Sequence, residues 1–352
     1  MARYLVTGAA GFIGCRVAEE LLAGGHAVVG LDNLNDAYDV RLKEWRLRRL
    51  LARPGFQFHR LDICDPRALQ ALRRHDLPFE AVVHLAGRAG VRQSVDNPWI
   101  YLECNVIGTL NVLEWCRATE VRKFVLASSS SLYGEGNAMP CAEDDDTSRP
   151  LSPYAASKKA AEALCHSYHH LYGLDVTVLR YFSVYGPAGR PDMSPFRFVQ
   201  WISEGRSVIL YGDGGQRRDF THVDDIARGT IAALRPLGYA VVNLGSDRPV
   251  VLIDLIRLIE QRVGRQARIE FHPAHPSDVP VTWANISLAR RCLGWEPRIS
   301  YEEGVGSLVR WYIENRDWAR QIETSPAQNE PADRSARGDH ADSPALRAAV
   351  AP

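Results

Sequence analysis

The chain predicts an α/β protein, a doubly wound parallel sheet with a smaller α/β lobe toward the C-terminus. Three observations lead there. Over the first 130 residues, short apolar runs alternate with amphipathic stretches. A glycine-rich turn follows the first apolar run, and after about residue 185 the rhythm breaks into shorter segments dense in Gly, Pro and Arg. Strand–helix alternation at this spacing gives βαβ units, whose parallel strands carry helices on both faces.

The expected strands are the apolar runs at 4–7, 27–31, 56–61, 81–85 and 123–127. Amphipathic stretches at about 12–24, 40–52, 66–74 and 98–118 are the expected helices between them. Residues 152–172 read as one long helix, with Ser152 as N-cap and Pro153 in the first turn. Another apolar strand is expected at 175–180, and a last periodic helix at about 301–318. From 325 to 352 the chain is mostly Ala, Pro, Ser, Asp and Arg, a composition expected to be a disordered tail. The chain therefore divides into a doubly wound domain (1–185), a second lobe (186–324) with segments returning to the first, and the tail.

At 352 residues, with 46% apolar and 24% charged residues, the composition is that of an ordinary soluble protein of one large or two modest domains. The formal net charge is zero, which gives no reason to expect nucleic acid or a membrane surface as partner. No apolar run is long enough to span a bilayer, and the N-terminus enters a strand too soon for a signal peptide. The seven cysteines are odd in number and form no C-x-x-C pair. Reduced thiols in a cytoplasmic protein are expected. No metal site is expected either; His166, His169 and His170 share a helix without a Cys or acid at ligand spacing. The acidic run 143–146 reads as a solvated turn.

Gly8, Gly11 and Gly14, with Phe12 and Ile13 between them, follow the first strand and open the first helix. Glycines there let the turn tighten and let the backbone approach a pyrophosphate at the helix N-terminus, the signature of a Rossmann-type dinucleotide site. Asp32 ends the second strand, where a carboxylate binds ribose hydroxyls and repels a 2′-phosphate; NAD is favoured over NADP. Asp62 and Ile63 end the third strand, where an acceptor can meet the adenine amine. Leu85, Ala86 and Gly87 offer small residues beside the cofactor, and Asn105 lies within the 98–118 helix.

Tyr154 and Lys158 stand four apart, one helical turn from each other. An ammonium near a phenol of pKa about 10 favours the phenolate, so the tyrosine can act as a base near neutral pH. Ser128 to Ser131 follow the fifth strand, on the side of the sheet that faces the ligand crevice, where a hydroxyl can bond a sugar oxygen or relay a proton to Tyr154.

With these motifs in chain order, the sequence over residues 3–315 resembles the extended short-chain dehydrogenase/reductase family, in its nucleotide-sugar epimerase branch. The resemblance implies Tyr154 and Lys158 as the catalytic pair and Ser129, 25 residues before the tyrosine, as their partner. It is strongest to the UDP-glucuronate 4-epimerases, through four stretches: LDNLN (31–35) with YDVRL (38–42), AGVR (89–92), YFSVYGP (181–187) and GRPDM (189–193). UDP-glucose 4-epimerases usually have Asn at the Ser183 position and lack the last run. Glucuronate enzymes usually have Thr there, so Ser183 keeps the hydroxyl and loses the methyl.

What the resemblance implies is reversible oxidation of a UDP-sugar at C4 by tightly bound NAD, with a 4-keto intermediate that turns over in the site. It places Asn33, Asn35, Tyr181 and Val184 with the cofactor residues above. Arg218 is implied at the diphosphate and Asp278 near the uridine ribose. Arg88, Arg92, Arg190 and the hydroxyls of Ser129, Ser130 and Ser131 are candidates to fix a uronate carboxylate, for which a guanidinium fork is suited. A homodimer through the 98–118 and 152–172 helices is also implied. Related dehydratases and decarboxylases carry an acid two residues before the Tyr-Gly pair that ends the serine run; Ser131 stands there, with Ser130 before it, and serine is a poor general acid or base. The remaining alternatives are a UDP-hexose 4-epimerase, then a UDP-glucuronate decarboxylase or a non-catalytic NAD-binding member.

Overall fold

The computed structural model describes residues 1–72, 78–274 and 278–324. The end of the expected 66–74 helix, Ser277 and the 325–352 tail lie outside the described residues. Seven parallel strands form the main sheet in the order β10-β6-β5-β4-β1-β2-β3, where β1 is Arg3–Thr7, β2 Ala27–Asp32, β3 Phe56–Arg60, β4 Ala81–His84, β5 Lys123–Ser129, β6 Asp175–Tyr181 and β10 Tyr239–Leu244. Strand order reverses between β1 and β4, so a crevice opens there at the carboxyl ends of the strands.

Both sheet faces are covered, which is why strands such as β4 and β5 are buried along their whole length. One face packs on helix Phe12–Ala23, with Cys15, Val17 and Leu21 meeting Val6, Val28 and Val83. The other packs on the Gly108–Ala118 and Pro153–Tyr172 helices through Leu5, Val82, Leu113, Cys116 and Cys165. Ser152 caps the latter helix, its side chain accepting from the Ala155 amide.

The segment expected as one helix over 98–118 is α-helical at Pro98–Leu102 and Gly108–Ala118, with a π-helical turn, Glu103–Ile107, between them. The extra residue in that turn comes with Asn105 fully buried, and it breaks the 3.6-residue rhythm on which the expectation rested. Gly108 next to it has no room for a side chain: a Cβ would stand 2.6 Å from Ile63 Cδ1. The helix expected at 301–318 is likewise two, Tyr301–Glu314 and Arg316–Ala319, divided at Asn315. Within the 143–146 run, Glu143 is not solvated: its carboxylate accepts from the Asn243 amide at 2.9 Å and its carbonyl from Arg180 at 3.0 Å.

The second lobe holds a three-stranded sheet of β11 (Pro249–Val251), β9 (Arg217–His222) and β7 (Ser183–Tyr185), and a parallel pair of β12 (Arg268–His272) and β8 (Ser207–Tyr211). Its core joins Phe196, Ile256, Val305 and Tyr312. Leu42, from helix Val40–Leu51 of the first lobe, is buried in the same cluster. In the other direction, β10 pairs with β6, so a strand beyond residue 185 completes the main sheet. No helix among the described residues is long and apolar enough to cross a membrane.

Candidate active site

A crevice of about 930 Å³ runs between the strand ends of the main sheet and the second lobe. Every site residue named from the sequence lines it, with one exception: Asn105 lies behind the wall. There its side-chain oxygen accepts from the Arg88 amide at 2.8 Å. Its nitrogen donates to the Arg88 carbonyl at 3.0 Å and to Ser157 Oγ at 2.9 Å. Ser157 in turn donates to the Tyr154 carbonyl at 2.7 Å, so Asn105 ties the end of β4 to the Tyr154 helix.

The glycine turn is a cradle that side chains would fill. Gly8 has φ +70°, and a Cβ on it would sit 2.7 Å from the Ala86 nitrogen; one on Gly14 would sit 2.1 Å from the Gly8 carbonyl. Bare backbone at a helix N-terminus is what a pyrophosphate needs. Asp32 is buried beside it, accepting from the Ala10 amide at 3.2 Å and the Leu34 amide at 2.8 Å, with Lys43 Nζ at 3.8 Å. Asn33 donates to Asp62 at 2.9 Å, and Asn35 accepts from Lys43 at 2.8 Å. Burial pushes the Asp62 carboxyl up, but hydrogen bonds from Cys64 and Asn33 outweigh it and hold it below the usual carboxylate range. These residues fit NAD: a glycine cradle for the pyrophosphate, a carboxylate for the ribose, and an amide–acid pair at the next strand end.

At the end of β5, Ser129 caps the turn Ser130–Tyr133, accepting from the Ser131 amide at 3.2 Å, and its hydroxyl lies 3.1 Å from Ser131 Oγ. Ser129 and Tyr154 line the crevice together. Burial raises the Tyr154 phenol; Ser129 and the Arg190 charge pull it down without overcoming burial. Lys158, expected to bring its ammonium to the phenol, here donates to the Ala127 carbonyl at 3.0 Å. Burial lowers it to about 8. His84, buried under the site between Thr7 at 2.8 Å and Thr109 at 3.1 Å, is lowered to about 3 by burial and the Lys158 charge, so it is neutral. Its partner Thr7 also accepts from the Ala86 amide at 3.1 Å.

A second buried group braces this corner. Glu162, one turn beyond Lys158, accepts from Ser128 at 2.6 Å and takes a two-pronged ion pair from Arg180 at 3.0 and 2.9 Å. Arg180 also donates to Tyr133 at 3.1 Å.

The substrate side is rich in guanidinium groups, and ion pairs already engage several. Arg190 forks onto Asp192, two residues on, with Nε 3.0 Å from Oδ1 and a second bond from Nη2 to Oδ2. Arg92 pairs with Asp278 at 2.6 Å across the crevice and lies 4.2 Å over the Tyr211 ring. Arg88 is looser, 3.7 Å from the exposed Asp36. Arg218 donates to the backbone carbonyls of Arg217 at 2.9 Å and Pro280 at 3.3 Å. Ser183 opens β7 and faces the same space.

Two arginines escaped the sequence reading. Arg197, in the first turns of helix Ser194–Glu204, lines the crevice with a buried Nε that has no hydrogen-bond partner among the described residues. Burial lowers its pKa, against the pull of Asp192. Its helix neighbours Phe196, Phe198 and Val199 are buried core residues, so only the charge marks it among them. Arg46 is fully buried and spans the lobes. It donates to the carbonyl of Ala10 at 3.2 Å, to those of Ala188 at 2.6 Å and Gly189 at 3.2 Å, and to Tyr38 OH at 2.7 Å.

A doubly wound sheet with a glycine cradle, a strand-end acid and a Ser–Tyr–Lys cluster in one crevice defines a nicotinamide-dependent enzyme that moves a proton on and off a substrate hydroxyl. The chain belongs to the NAD dependent epimerase/dehydratase family, whose model matches residues 4–245. It is 53% identical over 323 residues to a UDP-glucuronate 4-epimerase of Thermodesulfobacterium geofontis, covering 92% of this chain and 99% of that one. A solved UDP-glucuronic acid 4-epimerase from Bacillus cereus, in complex with UDP-glucuronic acid and NAD, superimposes with a TM-score of 0.84 at 36% identity, covering 89% of this chain and 99% of that one. A UDP-glucose 4-epimerase from Thermotoga maritima, solved with UDP-glucose, matches with a TM-score of 0.83 at 31% identity over 89% of this chain and 99% of that one.

Proposed function

We propose that the protein is an NAD-dependent UDP-glucuronate 4-epimerase, interconverting UDP-glucuronate and UDP-galacturonate without net loss of CO₂. The observation that carries this is that Ser129 and Tyr154 line one crevice between the glycine cradle and a wall of guanidinium groups, with serines and no acid at 130 and 131. The 53% identity to an enzyme of that name supports the same substrate.

In this reading Tyr154 takes the proton from the sugar O4, and Ser129 bonds the same oxygen. Lys158, as an ammonium bonded to the Ala127 carbonyl, keeps a positive charge in the same crevice. NAD, when bound, supplies a reversible acceptor for the C4 hydride. The 4-keto sugar then turns, presents its other face, and Tyr154 returns the proton with C4 inverted. A 4-keto-6-carboxylate is a β-keto acid, so the site must keep the carboxylate bond away from the carbonyl π system. Ser129, Ser130, Ser131 and Ser183, with Arg88 and Arg190, are the proposed holders. Arg190 would exchange Asp192 for the substrate. Arg218 grips the diphosphate, joined by Arg197, whose unpartnered Nε faces the same crevice; Asp278 lies at the uridine ribose. The cofactor residues are those named from the sequence, with Asn105 acting from behind. Residues 1–185 hold the cofactor and most of 186–324 the UDP-sugar.

The protein is further proposed to be a cytoplasmic homodimer. Val95, Trp99, Leu102 and Ile107 stay exposed along the helices before and through the π turn, Trp99 at 78%. An apolar strip of this kind on a helix suits a partner.

The test is incubation of purified protein with UDP-glucuronate and no added NAD, followed by product NMR. UDP-galacturonate at equilibrium supports the proposal. A UDP-pentose with CO₂, or turnover of UDP-glucose alone, overturns it.

A further inference from the structure

Two cysteines that the proposed reaction does not use meet beside the crevice. Cys64 follows Asp62 and Ile63 in the turn after β3, its amide bonded to Asp62 at 2.9 Å. Cys104 stands in the π turn and lines the crevice. The Cys64 thiol lies 3.8 Å from the carbonyl of Glu103, the residue before Cys104, so it sits against the turn that carries Cys104. Both are partly accessible, whereas Cys15, Cys116, Cys141 and Cys165 are buried.

Cys104 is also unlike the other described thiols. Burial pushes Cys15, Cys116, Cys141, Cys165 and Cys292 up, which makes them inert. Cys104 is held down, first by Cys64 and then, against burial, by the charges of Lys158 and Arg88, while Cys64 is pushed up by Cys104 and by burial. A thiol held below its ordinary pKa, with cations and a second thiol near, is the arrangement in which one sulfur attacks an oxidant and the other resolves the product.

We infer that Cys64 and Cys104 form a reversible oxidation site at the wall of the cofactor crevice, taking a hydroperoxide as oxidant and closing to a disulfide. The Cys104 thiolate attacks the distal peroxide oxygen, the O–O bond breaks, and the departing oxygen takes a proton to become water or an alcohol. Cys104 is then a sulfenic acid. The Cys64 sulfur attacks it, the S–O bond breaks, and the oxygen leaves with the Cys64 proton as water. In sum, two thiols and hydrogen peroxide give one disulfide and two waters. An external thiol reverses the step. The bond would join the β3-end turn, which carries Asp62, to the π turn, which carries Asn105. The inference is independent of which sugar the enzyme uses.

The holoenzyme as purified is treated with a small molar excess of hydrogen peroxide, quenched with an alkylating agent, digested with trypsin and analysed by mass spectrometry. The expected product joins peptide 61–67 to peptide 93–117 through Cys104 rather than Cys116, and dithiothreitol releases it. Cys64→Ser should abolish the cross-link and leave Cys104 to run on to the sulfinic acid; Cys104→Ser should leave Cys64 alkylated. Recovery of both cysteines as alkylated thiols, over-oxidation of Cys104 without a cross-link in the unaltered protein, or a cross-link through Cys116 would each overturn the inference.

Discussion

The two walls of the crevice are built by different means. The wall proposed for the cofactor is made of backbone: a glycine turn, strand ends and short side chains held by bonds within one βαβ unit or its neighbour. The opposing wall is made of long cations drawn from distant elements, Arg190, Arg197 and Arg218, with Arg92 bridging to Asp278 across 186 positions of chain. Backbone walls tolerate little change in shape; side-chain walls tolerate shape and respond to charge. The difference teaches where each kind of substitution should register.

The largest effect belongs to neither wall. Tyr154→Phe, which keeps the ring and removes the proton carrier, should lower kcat by about 10³-fold with UDP-glucuronate binding retained, as product NMR and calorimetry would reveal. Next, Gly14→Ala puts a Cβ where the Gly8 carbonyl stands; overpacking of this kind costs about 1–3 kcal/mol. The variant should purify with less bound NAD and a lower Tm, read from cofactor released on denaturation and by calorimetry. Retention of full NAD content would break the claim that this wall is set by backbone. Arg218→Ala should do the reverse: NAD content unchanged and KM for the UDP-sugar raised on the order of tenfold or more, since a bond to a charged group contributes about 1.5–3 kcal/mol. A fall in kcat alone would place Arg218 elsewhere. The smallest effect is on pH. Burial lowers Lys158 to about 8, so its ammonium is lost as pH rises through that value and kcat should decline above it. Lys158→Arg, always charged, should remove that alkaline decline at the cost of some rate; a profile unchanged by the substitution would mean the limb belongs to another group.

The same contrast explains what could be read from the chain. Glycines at 8, 11 and 14 and an acid at 32 are demanded by backbone geometry at fixed spacing, so they can be recognised without a structure. Their strands were legible for the same reason, as apolar runs buried on both faces. Asn105 was named but set in a regular helix; the π turn that draws it inward leaves no trace in periodicity. Lys158 was recognised by its spacing, while its bond to Ala127 depends on where β5 ends. Arg197 was missed because its neighbours Pro195, Phe196 and Phe198 are core, and Arg46 because the carbonyls it serves are 36 and 142 positions away. Arg190 was recognised by its run, but not that Asp192 in the same run takes its fork.

Arg46 gives the molecule a crosspiece. One rigid, planar cation is pinned at the same time to the turn under the cofactor and to the loop that presents Arg190, and it is sealed from water. A shift of the sugar-side loop by a fraction of an ångström would have to stretch those bonds or drag the glycine turn with it. Under the proposed site assignment, ligand exchange on one side should be felt on the other, and by thermodynamic reciprocity the occupant of either half should tighten or loosen its neighbour by the same factor.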